Sequence, residues 1–202
     1  VKKIYIADTL ALHVNSVFNN WNYGANTWVD VVMAVWMFAF QIYCDFSGYT
    51  DIARGISKLM GFDLMINFNL PYFATSPTDF WRRWHISLSS WLRDYLYIPL
   101  GGSRGGNLLT YRNLFITMAI GGLWHGASWH FLLWGIYQGA VLATHRLWKT
   151  FWSKYALYER ITETKSYKTI AIITTFMITC YGWLIFRVDS LQQLIEMNKT
   201  VF

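Results

Sequence analysis

The stretch Thr169–Phe186 reads TIAIITTFMITCYGWLIF and carries no charged side chain from end to end. A helix needs about 20 mostly uncharged residues to cross the hydrocarbon core of a bilayer, and this stretch reads as such a span. Toward the N-terminus, Trp28 to Phe46 reads the same way, with Val31 to Phe40 lacking any polar side chain. Asn113 to Trp124 and Gly126 to His145 are apolar as well, joined through Trp124-His125-Gly126-Ala127-Ser128. These two read either as two short spans or as one span and a re-entrant segment. The composition agrees, with 54% hydrophobic, 19% aromatic and only 14% charged residues, against roughly 25% charged in soluble domains. The expectation is an all-α polytopic membrane protein in which residues 1–202 form a single domain, since no internal repeat or low-complexity tract divides them.

Lys and Arg outnumber Asp and Glu 17 to 11, for a net charge of +6. The cations collect in two polar connections rather than in one stripe, which argues against a nucleic-acid partner and for orientation in a membrane. Arg82, Arg83, Arg93, Arg104 and Arg112 fall in one connection; Arg146, Lys149, Lys154, Arg160, Lys165 and Lys168 fall in the other. Both are expected on the cytoplasmic side, so that Asn113 to His145 leaves and returns to one face as a hairpin. Cys44 and Cys180 each lie inside a predicted span and offer neither a disulfide framework nor a thiolate metal site. Lys2-Lys3 leads into a segment broken at Asp8, a poor signal peptide, and the start at Val1 reads as an internal cut.

Ile4, Ala7, Ala11, Val14 and Phe18 recur at helical spacing, and Asn19 to Asn26 is a turn-rich break. After the first span, Asp45-Phe46-Ser47-Gly48-Tyr49-Thr50-Asp51 reads as a second break, followed by a helix over Ile52 to Met60 with Gly61 as its stop. Pro71 and Pro77 bracket an irregular aromatic loop. From Asp79 to Tyr97, Trp81, Trp84, His85, Leu88, Trp91, Leu92 and Tyr95 share one helical face while Arg83, Ser87, Ser90 and Asp94 share the other. That pattern predicts one amphipathic helix suited to a membrane interface, ending near Pro99 before the glycine-rich basic loop Gly101 to Gly106.

His125 sits between two apolar helices, where an ionisable side chain is costly and usually functional. Its position alone leaves open a hydrogen-bonded packing residue or a neutral imidazole that accepts a proton from a hydroxyl, the chemistry of a general base. His85, on the apolar face of the interfacial helix, reads by itself as a core histidine satisfied by the backbone. His130 follows His125 by five residues, about 140° round a helix, whereas two ligands on one helix want a separation of four. No metal site is expected, and His13 and His145 read as interfacial polar residues. No nucleophile-elbow serine is present. Asp45 and Asp51 are expected to pair with Arg54 or with arginines of the interfacial helix. The Gly101–Gly106 loop matches neither the P-loop nor the dinucleotide pattern, leaving a contact between Arg104 and a cofactor phosphate as its only binding role.

Three stretches together resemble one family. They are Asp45-Phe46-Ser47-Gly48-Tyr49-Thr50-Asp51; Asn67-Phe68-Asn69-Leu70-Pro71-Tyr72 through Phe80-Trp81-Arg82-Arg83-Trp84-His85-Ile86-Ser87-Leu88-Ser89 to Gly106; and Gly121-Gly122-Leu123-Trp124-His125-Gly126. They resemble the membrane-bound O-acyltransferases, in particular the bacterial alginate O-acetyltransferase branch. The resemblance implies a ring of membrane helices around a central tunnel, with His125 as the active-site histidine and His85 as the second characteristic one. It further implies acetyl transfer from a cytoplasmic thioester such as acetyl-CoA to a hydroxyl. Its other implications are an inner-membrane, multi-pass location among membrane lipid, and periplasmic partners that transfer acetyl groups and modify an exopolysaccharide. The chain departs from the family pattern at His130. Two rival classes are a membrane cytochrome with histidine-ligated haem and a transporter or non-catalytic polysaccharide-export subunit.

Overall fold

The computed structural model describes residues 1–202, and every regular element is helical. A π-helical segment, Lys2–Ala7, runs into α1 (Asp8–Phe18) and is followed by α2 (Trp28–Leu59), α3 (Pro77–Arg83), α4 (Ile86–Leu92), α5 (Asn107–Trp124), α6 (Trp129–Trp152), α7 (Ala156–Glu163), α8 (Lys165–Arg187) and α9 (Leu191–Val201). A 3₁₀ turn, Pro71–Phe73, and a π-helical turn, Arg93–Tyr97, complete the list. Only α2 and α8 are both long and apolar enough to cross a membrane by length and composition. At 1.5 Å per residue, the 18 residues of α5 reach about 27 Å, slightly short of a hydrocarbon core of about 30 Å.

Two compact units divide the chain, one formed by Val1–Asn67 with Trp183–Phe202 and the other by Phe68–Gly182. In the first, Val14 and Phe18 of α1 are buried along with Val31, Ala34, Val35, Phe38 and Ala39 of α2. Phe38 meets Phe18 at 6.5 Å and Trp183 at 6.4 Å between ring centroids. Arg187 closes the end of α1, donating from Nη2 to Asn15 Oδ1 at 2.9 Å and Asn19 Oδ1 at 2.7 Å, with its guanidinium 5.2 Å above the Phe18 ring. A cation there also meets the negative end of the helix dipole.

The break expected at Asp45–Asp51 does not exist: α2 is continuous through it and ends at Leu59, with Gly61 in the left-handed region at φ 84°. Gly48 works here as a small residue rather than a helix breaker, because a Cβ at that position would lie 3.2 Å from the Lys3 backbone nitrogen. The close approach lets Lys2 Nζ reach Asp51 Oδ2 at 2.8 Å and Lys3 reach Asp45. The two aspartates therefore pair with the first segment and not with Arg54, whose Nε donates instead to the Leu64 carbonyl at 3.2 Å.

In the second unit α5 and α6 form the predicted hairpin, packed backbone to backbone. A Cβ on Gly122 would stand 2.3 Å from the Phe131 carbonyl oxygen, and one on Gly135 2.3 Å from that of Met118. Small residues that let helices approach this closely are a recurring device of membrane helix pairs. Asn113, buried in α5, donates from Nδ2 to the Gly102 carbonyl at 2.9 Å and so fixes the turn that precedes its own helix.

The single amphipathic helix expected over Asp79–Tyr97 is instead broken in two at Trp84-His85. His85 holds φ 42° and ψ 57°, a left-handed conformation uncommon outside glycine. The carbonyls released at the break find new donors, Arg83 O accepting from Asn69 N–H at 3.0 Å and Trp84 O from the Ser89 hydroxyl at 3.1 Å. A local hydrogen-bond supply thus replaces the interrupted helical ladder.

Candidate active site

His125 is placed by the α5–α6 turn. Its backbone N–H donates to the Gly122 carbonyl at 3.0 Å, and Ser128 opens α6 three residues later in extended geometry. The imidazole is half-buried among aromatic rings, with centroids 5.0 Å from Trp124, 5.4 Å from Trp134 and 6.1 Å from Phe131. The ring planes of Trp124 and Trp134 stand nearly perpendicular to it, at 76° and 89°. Edge-on packing of this kind fixes the ring's orientation.

His85 is placed by the broken segment. The backbone N–H of Leu88 donates to its Nδ1 at 3.2 Å, so the imidazole caps the first turn of α4. Burial pushes its titration below the ordinary histidine value and favours the neutral ring. Its ring lies 6.5 Å from Trp124, edge-on at 86°. Trp124 is therefore shared by both sequence-predicted histidines, which stand far apart in sequence and on different elements. His130 is not part of this arrangement in the same way: its Nδ1 is 2.8 Å from the Ser128 hydroxyl, at the opening turn of α6.

A wall of aromatic side chains backs the pair. Phe68 meets Trp84 at 4.9 Å, Phe80 stacks on Trp84 at 5.6 Å, and Tyr72 meets Phe176 at 5.2 Å. Trp81 meets Trp134 at 6.0 Å and also lines a cavity of about 660 Å³ framed by α3, α4, α5 and α6. Arg82 and Arg93 reach this cavity from one basic connection, Arg146 and Lys149 from the other. The two connections accordingly converge on one side of the unit, as the hairpin requires. His145 also lines the cavity, its Nδ1 3.2 Å from the Thr78 hydroxyl. Arg104 stands exposed on the glycine turn and is not among the lining residues. The arginines and lysine of the cavity carry in the sequence only an orientation signal, and their convergence becomes visible once α5 folds back on α6.

Two imidazoles that share one indole, set among aromatic rings near a cavity lined by Arg82, Arg93, Arg146 and Lys149, suit proton transfer. Residues 4–188 match the membrane-bound O-acyltransferase family. The chain belongs to that family. Over all of its length it is 45% identical to the "Probable alginate O-acetylase AlgI" of Pseudomonas aeruginosa, covering 36% of that protein. It is 41% identical to the "Peptidoglycan O-acetyltransferase" of Helicobacter pylori, with 98% of this chain and 36% of the relative aligned. A "Teichoic acid D-alanyltransferase" of Streptococcus thermophilus is 32% identical over 75% of this chain and 40% of its own length. The chain thus spans little more than a third of the length of these relatives.

Proposed function

We propose that this chain carries the catalytic histidine of a membrane O-acetyltransferase that moves an acetyl group from a cytoplasmic thioester, acetyl-CoA or a donor like it, to a hydroxyl of a cell-envelope polysaccharide. The observation that carries the reading is the convergence of His125 and His85 on Trp124 among aromatic side chains. In this reading neutral His125 takes the proton of the acceptor hydroxyl as its oxygen attacks the thioester carbonyl. The tetrahedral adduct then collapses, the carbon–sulfur bond breaks, and the imidazolium returns the proton to the departing thiolate. Base catalysis of this kind is worth about 10²- to 10⁴-fold, and holding donor and acceptor together supplies much of the remainder. His85 orients the segment that faces the site and can hydrogen-bond the acceptor.

The names of the relatives support acyl transfer to polymers of the cell envelope and span alginate, peptidoglycan and teichoic acid. Alginate-like exopolysaccharide is the acceptor favoured by the highest of these identities, with periplasmic acetyl-transfer proteins as partners. The protein sits in the bacterial inner membrane as a multi-pass chain, its two basic connections toward the cytoplasm and its helices part of a ring around a tunnel.

The test is acetyl transfer from a labelled thioester by the full-length protein. His125→Ala is expected to abolish transfer per folded molecule while membrane insertion is kept, since alanine is the cheaper residue in a bilayer. A His125→Ala protein with near-normal specific activity would end the general-base assignment, and a wild-type protein that transfers no acyl group would end the enzyme reading.

A further inference from the structure

The two basic connections differ in what their cations do. In the first, Arg83 pairs with Asp79, Arg93 pairs with Asp94, and Arg112 donates from Nη2 to Asn113 Oδ1 at 3.0 Å. In the second, Lys154, Arg160, Lys165 and Lys168 are exposed and make no ion pair. The same connection turns aromatic rings outward. Trp148 and Phe151 at the end of α6 are 53% and 56% exposed and Tyr155 is 51% exposed, and with Trp152 they form a chain of ring contacts at 5.3 to 6.1 Å. Along α7, Leu157 and Ile161 are exposed one turn apart on one side, Glu159 and Glu163 stand opposite, and Arg160 flanks the apolar side. A single exposed leucine needs no explanation, whereas a run of exposed rings and aliphatic side chains rimmed by unpaired cations marks an interaction surface.

This surface is folded. Tyr155 N–H donates to the Trp152 carbonyl at 3.0 Å, Tyr158 N–H to that of Tyr155 at 3.0 Å and Thr164 N–H to that of Ile161 at 3.1 Å, while the Tyr158 ring meets Tyr167 of α8 at 6.4 Å. We propose that residues 148–168 are a docking surface for the anionic phospholipid headgroups of the leaflet that α6 and α8 enter, with the rings and α7 seated at headgroup level and Lys154, Arg160, Lys165 and Lys168 gathering phosphate groups. The place of α7 argues for this occupant. α8 begins at Lys165, two residues after α7 ends at Glu163, and its uncharged stretch begins at Thr169, so α7 is tethered where the chain enters the bilayer. The side chains argue for it too, since Trp and Tyr favour a level with one side wet and the other apolar, and Lys and Arg lay their stems on apolar surface while their heads reach water or phosphate. The charge balance completes the match. Over residues 146–168 six cations face two carboxylates, and each cation near an anionic leaflet strengthens attachment roughly fivefold. A second copy of the chain would instead set like charges against each other, which is costly. A charge excess alone chooses a side of the membrane; the exposed rings place this connection within the headgroup layer, and the free cations make it selective among lipids.

The test reads the lipid composition next to α7. Leu157→Cys in the full-length protein, labelled with bimane at one copy per nanodisc, is compared in phosphatidylcholine discs doped with brominated phosphatidylglycerol or, at the same mole fraction, brominated phosphatidylcholine. The parent protein carried through the same labelling sets the background. Brominated phosphatidylglycerol is expected to quench about threefold or more above brominated phosphatidylcholine. A label at Glu163→Cys, on the opposite side of α7, should be quenched more weakly by both. Lys154→Gln, Arg160→Gln, Lys165→Gln and Lys168→Gln combined should make the two lipids equal while quenching by phosphatidylcholine persists, which separates lost selection from lost folding. Equal quenching by the two lipids before those substitutions, or selection that survives them, overturns the anionic headgroup site. Quenching of the Leu157→Cys label by neither lipid means that α7 stands clear of the bilayer and overturns the docking surface. In that case, a blue shift of the bimane emission only when two copies share a disc assigns the face to a second copy of the chain, and its absence assigns it to a water-soluble partner.

Discussion

The two histidines reach the same indole by opposite means. His125 hangs from a hairpin whose helices touch along their backbones, with Gly122 against the Phe131 carbonyl and Gly135 against that of Met118. His85 stands at a fracture between two short helices, in a left-handed conformation, with the carbonyls freed there taken up by Asn69 of the preceding loop and Ser89 of α4. The first arrangement is rigid because nothing can be added to it; the second is specific because its parts are held against their local preference. A proton acceptor profits from the rigid setting, where small displacements are resisted. A residue that orients a neighbouring segment fits the setting in which its own ring completes the fold.

The largest effect expected from disturbing this contrast lies in the hairpin. Gly135→Ala places a methyl group 2.3 Å from the Met118 carbonyl oxygen and 2.8 Å from the Ala119 Cα. Both are backbone atoms, so the strain cannot be relieved by a side-chain rotation and the helices must separate. A loss of about 3 kcal/mol is expected, and with it a loss of the proposed acetyl transfer, because the turn that carries His125 moves with α6. Gly139→Ala, whose added carbon would meet Phe115 atoms at 3.1 Å, should cost less. The folded fraction in a graded denaturation series ranks the two variants, and a Gly135→Ala protein as stable as wild type would show that the hairpin is not the rigid half.

A smaller loss is expected at the fracture. His85→Ala keeps the β-carbon already present in the left-handed region and removes the cap on Leu88 N–H, costing about 1–2 kcal/mol. Asparagine tolerates that region and is a good cap, so His85→Asn should keep most of the stability. The activity per folded molecule of His85→Asn then measures what the imidazole itself does. Activity equal to wild type would reduce His85 to a helix cap. A deep loss at full stability would place it in the chemistry with His125.

Much of the helical layout can be read from residue order, because apolar runs such as Val31 to Phe40 and Thr169 to Phe186 have few other ways to bury their backbone polar groups. Gly61 and Pro77 mark real helix boundaries for the same local reasons. The fracture at His85 is illegible because the helical period continues across it: Trp84 and His85 carry no breaker signal, and the donors that stabilise the break come from Asn69 and Ser89. Gly48 misleads in the other direction, since a glycine selected for close approach looks like a helix stop. His125 is a candidate already from its place between two apolar helices, whereas His85 becomes one only through motif resemblance. The cavity escapes notice altogether, because the approach of Thr78 to His145 joins residues 67 apart and charge counting assigns their neighbours only to a membrane face.

The least perturbing test asks whether the broken segment and the hairpin end on one side of the membrane. Ser103 follows the fractured segment and Ser153 follows α6, and both are exposed. Arg82 and Arg93 from the first connection and Arg146 and Lys149 from the second line one cavity, which is impossible if a bilayer separates them. The excess of Lys and Arg in both places argues for the cytoplasmic face. Single cysteines at these positions, Ser103→Cys and Ser153→Cys, replace one exposed hydroxyl by a thiol and should change stability by less than about 0.5 kcal/mol. Cys44 and Cys180 are buried and should react slowly, and the parent protein sets that background. Neither new thiol should react with an impermeant reagent in intact cells, and both should react after lysis. Labelling of one from outside and of the other only after lysis would separate the two connections, and would dismantle the hairpin and the shared cavity together.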